Sequence, residues 1–204
     1  VFVLPKNAQY VLLPKVVAGP GRLANWACKG ECAIGRGLWL WDFRTYLFRN
    51  IYGSANGTHI SQQPRQPNGH ILFSLPVGTT HTDKVTTFHD LIEAAQARYG
   101  QDRIKAVDMA KLSIQEQAHL VRNTAVYFTN HGGGSASALF LDRDATLIIY
   151  HGVGRQGEAK MLDRHFWNSL GYAIVQWVHP DDHHDVPRAL LMIERALELI
   201  DGDN

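Results

Sequence analysis

The sequence predicts an α/β fold: a Rossmann-like, mostly parallel sheet with helices on both faces. Three observations carry that prediction. From His70 onward, short runs of apolar, β-branched and aromatic residues alternate with longer amphipathic patterns. Strands separated by helices need crossover connections, and crossovers pair strands in parallel. The helical patterns carry their own boundary signals: Ser113-Ile-Gln-Glu116 reads as a capping box, while Gly100 and Gly171 stand where helices stop. Finally, the apolar run Ala125 to Thr129 halts at Asn130-His131 and three glycines, Gly132, Gly133 and Gly134, before the small residues Ser135, Ala136, Ser137 and Ala138. Sheets of this kind bind ligands beyond the carboxyl ends of their strands, which is where such a turn lies.

The bulk properties agree with one globular domain over 1–204, with an irregular leading region (1–69) and a regular β/α part (70–204). The chain has 204 residues, 45% hydrophobic and 19% charged, enough for a real core. A net charge of +1 offers no general attraction to nucleic acid or to an anionic membrane. No apolar run approaches the ~20 residues that cross a bilayer, so this segment is expected to make no membrane contact. Eleven histidines would charge the chain near pH 6. The start at Val1, without Met, is read as a processed or excised piece.

Taken in order, Val1 to Val17 reads as extended segments closed by the turn Ala18-Gly19-Pro20-Gly21, and 22–37 as an irregular loop. Within that loop Cys28 and Cys32 form Cys-Lys-Gly-Glu-Cys; a disulfide and two free thiols are both open, and no further ligands for a metal lie nearby. Leu38 to Arg49 is dense in aromatics and predicts a helix from Asp42 as N-cap, with Trp39, Trp41 and Phe43 in the core. Ser54 to Gly69 reads as a linker, with Asn56-Gly57-Thr58 as an N-glycosylation candidate at Asn56. The sequon and the cysteine pair together point to the secretory pathway.

The regular part follows. Strands are expected at His70–Leu75, Ile104–Val107, Ala125–Thr129, Ala145–Tyr150 and Tyr172–Val178. Helices are expected at Thr86–Tyr99, after Ser113, at Lys160–Leu170, and from Asp185-Val186-Pro187 to about Ile200. His179-Pro-Asp-Asp-His183-His184-Asp185 suits a solvated loop before the last helix better than a zinc site, so no metal is assigned.

The glycine turn has two readings. It is either a tight turn packing helix on strand or an anion cradle, where close-approaching backbone N–H groups meet the positive end of a helix. Neither the dinucleotide nor the P-loop pattern of glycines is present. A serine nucleophile is disfavoured because no glycine closes a G-x-S-x-G elbow after Ser135 or Ser137.

Phe128-Thr-Asn-His131-Gly132-Gly133-Gly134-Ser135-Ala-Ser-Ala-Leu139-Phe140-Leu141 resembles the His-Gly-Ala-Gly segment of glycosyltransferase family 61, with Gly133 at the Ala position. Leu112-Ser-Ile-Gln-Glu116-Gln117 is similar to the family's Ser-x-x-Glu-Gln helix. The Phe43-Arg44 pair and the Leu170-Gly171-Tyr172 strand start extend the resemblance over roughly Val16 to Val178. The resemblance implies one half of a GT-B enzyme of two Rossmann-like halves, with the N-terminal half outside this chain or on a partner chain. It implies inverting, metal-independent transfer of a sugar from a nucleoside diphosphate sugar to a glycan or protein acceptor. No cofactor is implied, and a UDP-sugar is the first donor to consider. Asn130, His131, Gly132, Gly133, Gly134, Ser135 and Ala136 would hold the nucleotide sugar, with Lys84 and His81 as nearby cations.

The chain departs from the family pattern where Lys84 and His81 stand in place of arginines, and where Tyr150-His151 stands in place of a Glu. No catalytic residue is assigned. The alternative is a glycosyltransferase-like module that is structural or carbohydrate-binding and inactive. The lumen of the endoplasmic reticulum or Golgi is the expected location, or the cytoplasm if the source is bacterial.

Overall fold

A computed structural model describes residues 37–63, 69–75, 88–150, 167–168, 170–178 and 185–201. Five strands form one sheet: β1 (His70–Ser74), β2 (Ile104–Val107), β3 (Thr124–Asn130), β4 (Thr146–Tyr150) and β5 (Ile174–Val178). Every neighbouring pair is parallel, in the order β2-β1-β3-β4-β5. This is the predicted α/β sheet. Its chain order reverses direction between β1 and β3, so the crossovers on either side lie on opposite faces and a crevice is left at those strands' carboxyl ends.

The helices are α1 (Gly37–Tyr52), α2 (Ser54–Gln62), α3 (His89–Tyr99), α4 (Ile114–Arg122) and α5 (Val186–Asp201). Strand side chains alternate between faces, so the two layers divide by parity. Ile71, Phe73, Val126, Phe128, Ile148 and Tyr150 pack against α3 and α5. Leu72, Tyr127, Leu147 and Ile149 pack against α1, α4 and the chain beyond β3. β3 is buried at all seven positions, as expected of a central parallel strand covered on both faces. Phe73 and Phe128 stack at 5.0 Å, and each fully buried Phe contributes ~1.5–3 kcal/mol.

Local signals explain several boundaries. Glu116 N–H donates to Ser113 Oγ at 3.3 Å and Ser113 N–H to Glu116 Oε2 at 2.8 Å, the predicted capping box at the start of α4. Ser113 Oγ also donates to Glu116 Oε2 at 2.7 Å, and this bond, with that from the Ser113 N–H, holds the Glu116 carboxyl below its usual range. At the end of α3, Gly100 takes φ +88, a value that favours glycine.

Other expectations are corrected. Ser54 to Gln62 is helix, not linker, and Asn56 is exposed on that helix. The polar sequence hides the reason: a Cβ at Gly57 would lie 2.3 Å from Phe48 O, so only glycine lets α2 approach α1 this closely. α1 starts at Gly37, five residues before the expected N-cap Asp42. Its buried face is Leu40, Arg44 and Phe48, which leaves Phe43 45% exposed and Trp41 half-buried rather than in the core. Spacing of four residues places the cation Arg44 inward where hydrophobicity alone would place Phe43.

Arg44 is fully buried. Its guanidinium lies 4.4 Å from the Trp41 ring and 4.7 Å from that of Phe48, donates to Ser61 O and Phe140 O, and pairs with Asp142 at 3.5 Å. Burial lowers its pKa to about 10, with Asp142 pulling the other way. It therefore ties α1, α2 and the chain beyond β3 into one unit. Cys28, Cys32, His81 and Lys84 lie outside the described residues, as does most of the expected helix at 160–170.

Candidate functional site

β3 ends at Asn130, and the next residue still follows the ladder: His131 N–H donates to Tyr150 O at 3.2 Å. The His131 ring lies half-buried with Nδ1 3.4 Å from the same oxygen. A carbonyl only accepts, so this contact is a hydrogen bond when Nδ1 carries the proton. The backbone then turns sharply at Gly132, with φ 93 and ψ −144, a region open essentially to glycine. A 3-10 helix follows from Gly133 to Phe140. Its first turn closes on Gly132 O, which accepts from Ser135 N–H at 3.0 Å and from Ser135 Oγ at 2.6 Å.

Side chains from three other elements pin the turn from below. Tyr127 Oη donates to Gly134 O at 2.8 Å. Ser137 Oγ donates to Gln117 Oε1 at 2.6 Å, and Gln117 Nε2 in turn donates to Met109 O and Leu112 O. Arg44 Nε reaches Phe140 O at 3.4 Å. Gly134 sits over the carboxyl ends of β1 and β3, where a Cβ would lie 3.1 Å from Thr129 Oγ1 and 3.5 Å from Ser74 Oγ. Burial pushes the Tyr127 phenol up to about 12, opposed by the nearby hydroxyls of Ser74, Thr129 and Ser137.

The predicted site residues thus divide. His131, Gly132, Gly134 and Ala136 are at least partly accessible. Asn130, Ser135 and Ser137 are buried, so the serine hydroxyls serve the turn from inside. The segment with His81 and Lys84 connects the carboxyl end of β1 to α3, but neither residue is among those described. Nothing local in the sequence marks Tyr127, Ser74 or Thr129 as site residues, and Gln117 stands there only as part of the Ser-x-x-Glu-Gln motif. A tyrosine in a fully buried strand was the available signal, because its hydroxyl must find a partner.

The chemistry on offer is backbone polarity. N–H groups at a helix start carry partial positive charge and suit an anion. The position coincides with the β1/β3 reversal, where such sheets bind nucleotides. Among the described residues no group of three or more His, Cys, Asp or Glu could hold a metal ion. No described helix is long and apolar enough to cross a membrane. A separate open groove of about 680 Å³ lies between Tyr52 and the start of α4, lined also by Val107, Leu112 and His119. Its polar groups are largely used within it: Tyr52 Oη donates to Gln115 O, and Ser113 and Glu116 cap each other.

Residues 54–148 match the family model for Glycosyltransferase 61. Across this stretch the chain is similar to glycosyltransferase family 61. Among curated proteins, none matches the chain. The family stretch runs from α2 to β4 and contains the whole glycine turn, its Tyr127 anchor and the β1/β3 reversal. Phe43-Arg44 and Leu170-Gly171-Tyr172, which extended the resemblance, fall outside it. The glycine turn therefore lies inside the stretch that resembles the family, at the carboxyl edge of the sheet.

Proposed function

We propose that this chain binds the sugar donor of an inverting, metal-independent glycosyltransferase, with the diphosphate of a nucleoside diphosphate sugar at Gly132–Ala136. The observation that carries this reading is the position of the glycine turn: within the family stretch, on the carboxyl side of the β1/β3 reversal. UDP-sugars are the first donors to test, and a glycan or protein hydroxyl is the acceptor. Location in the lumen of the endoplasmic reticulum or Golgi, or in the cytoplasm if the source is bacterial, belongs to the same proposal.

In such a transfer the acceptor oxygen attacks the anomeric carbon from the face opposite the diphosphate. The bond from that carbon to the phosphate oxygen breaks, and its electron pair leaves with the diphosphate. The charge that grows there must be stabilised, and without a metal this falls to oriented amides and cations. The turn supplies amides, His131 stands beside them, and Lys84 and His81 follow β1 in the chain. Lys84 would act as a point charge without the two-pronged bonding of arginine. The base that takes the acceptor proton is assigned to the N-terminal half of a GT-B pair.

Isothermal titration of the protein with a panel of UDP-, GDP- and CMP-sugars tests the donor. Saturable binding of one nucleoside diphosphate sugar, unchanged by a chelator, is expected. Silence across the whole panel would overturn the proposal. Donor binding with no transfer, even with the N-terminal half supplied, would favour the inactive carbohydrate-binding alternative. That reading has its own observation: β4 ends in Tyr150, 2% exposed and packed against Phe88 and Phe128, rather than in an acid.

A further inference from the structure

The cleft face of the glycine turn is set by a hydroxyl buried on its other side. Tyr127 occupies a slot in the central strand where a phenylalanine would fill the same volume, yet its hydroxyl is present and bonded to Gly134 O at 2.8 Å. Burying a phenol is costly unless the hydroxyl is satisfied. Its other neighbours, the hydroxyls of Ser74, Thr129 and Ser137, come from β1, from β3 and from the 3-10 helix.

The consequence follows from peptide planarity, since C=O and N–H point oppositely across a trans peptide. Tyr127 draws the Gly134 carbonyl inward, and the N–H of the same peptide, that of Ser135, donates to Gly132 O. The peptide between Gly134 and Ser135 is held at both ends. Gly132 O in turn receives Ser135 N–H and Ser135 Oγ, so the Gly132–Gly133 peptide is also fixed. The Gly133 N–H must therefore point away from the interior of that first turn.

We propose that Tyr127 is a positioning residue whose hydroxyl, through Gly134, Ser135 and Gly132, aims the Gly133 N–H at the donor diphosphate. This rests on the donor-binding reading above. Tyr127 touches no substrate; it acts only through the peptides it orients. The hydroxyls of Ser74 and Thr129 and the Ser137–Gln117 pair surround the phenol.

The test is Tyr127→Phe in the full chain, with Ser135→Ala as a second variant that loosens Gly132 O, the carbonyl at the start of the same turn. Two probes are titrated, UDP and uridine. Tyr127→Phe is expected to weaken UDP about tenfold, the scale of one lost charge-assisted bond, while uridine affinity stays at the wild-type value. Amide hydrogen exchange at Ser135 is expected to speed up about tenfold as the turn loosens. Ser135→Ala should move UDP in the same direction, and it carries the test alone should Tyr127→Phe fail to fold. Equal weakening of UDP and uridine would mark a general structural role and overturn the inference. So would unchanged UDP affinity in the variants of a wild type that binds UDP. A wild type that binds no UDP overturns the donor reading itself, and this role with it.

Discussion

Replacing Gly132 with alanine puts the cradle's backbone conformation to the test. Gly132 has φ 93 and ψ −144, where a Cβ costs ~1–3 kcal/mol. The loop has little room to escape that cost. His131 on one side is tied to Tyr150 O, and Gly132 O on the other receives both Ser135 N–H and Ser135 Oγ. Swinging φ to a negative value would give up bonds of ~1 kcal/mol each, so relaxation gains little over strain. In a chain of this size, 1 kcal/mol moves Tm by about 2–4 °C, which predicts a loss of roughly 2–12 °C.

The control is Gly53→Ala. Gly53 also has positive φ, at 83, and a Cβ there would meet nothing within 4 Å, but it lies before α2, outside the turn. Both variants should melt earlier by circular dichroism, and only Gly132→Ala should weaken UDP in titration. Wild-type UDP affinity in Gly132→Ala would refute the idea that this conformation builds the cradle. Equal weakening by Gly53→Ala would show that the readout reports stability alone.

Three further outcomes are expected. Gly57→Ala places a Cβ 2.3 Å from Phe48 O and 2.5 Å from Arg49 Cα, both backbone, so overpacking of ~1–3 kcal/mol should outweigh a helix-propensity gain of up to ~1 kcal/mol. A lower urea midpoint is the expected sign, and a higher one would mean that the helices part freely. Asp142→Asn strips the buried Arg44 of its carboxylate and should cost ~3–5 kcal/mol, tempered by the two carbonyls and two rings that remain around the guanidinium. A double-mutant cycle with Arg44→Met that shows no coupling would contradict that account.

The last outcome concerns alkaline unfolding. The Tyr127 pKa is raised, so the folded chain keeps its phenol neutral where the unfolded chain ionises. Its contribution is present below about pH 10 and is lost as pH rises through about 12. Burial also raises Tyr150 and Tyr172 in the same direction. Tyr127→Phe should therefore show a shallower fall in stability over that window than wild type, and an identical slope would argue against a buried, bonded phenol.

The legible parts of this protein were those governed by near neighbours in sequence. The capping box of Ser113 and Glu116 needs only a three-residue spacing, and it formed as read. The strands of the regular part were marked by apolar runs long enough to stand out from their surroundings. α2 was illegible because its reason to be helical is Gly57 lying on the backbone of another helix. In the sequence Arg44 stands only as part of the Phe43-Arg44 pair. Nothing local tells that it lies inside with Trp41 and Phe48 while Phe43 faces out.

By itself the sequence determined the α/β class, the glycine turn after the third strand and, through its motif, the resemblance to the family. Those rest on periodicity, on helix capping and on glycine's freedom of φ, which operate over a few residues. Strand order was a tertiary decision, because which strands become neighbours depends on crossovers packing on one face or the other. That decision put β1 beside β3 and so set Ser74 and Thr129 under Gly134. It also sent Ser135 and Ser137 inward and brought the Tyr127 hydroxyl under the turn. A buried hydroxyl must find its partner in three dimensions, and only the packed sheet supplies one.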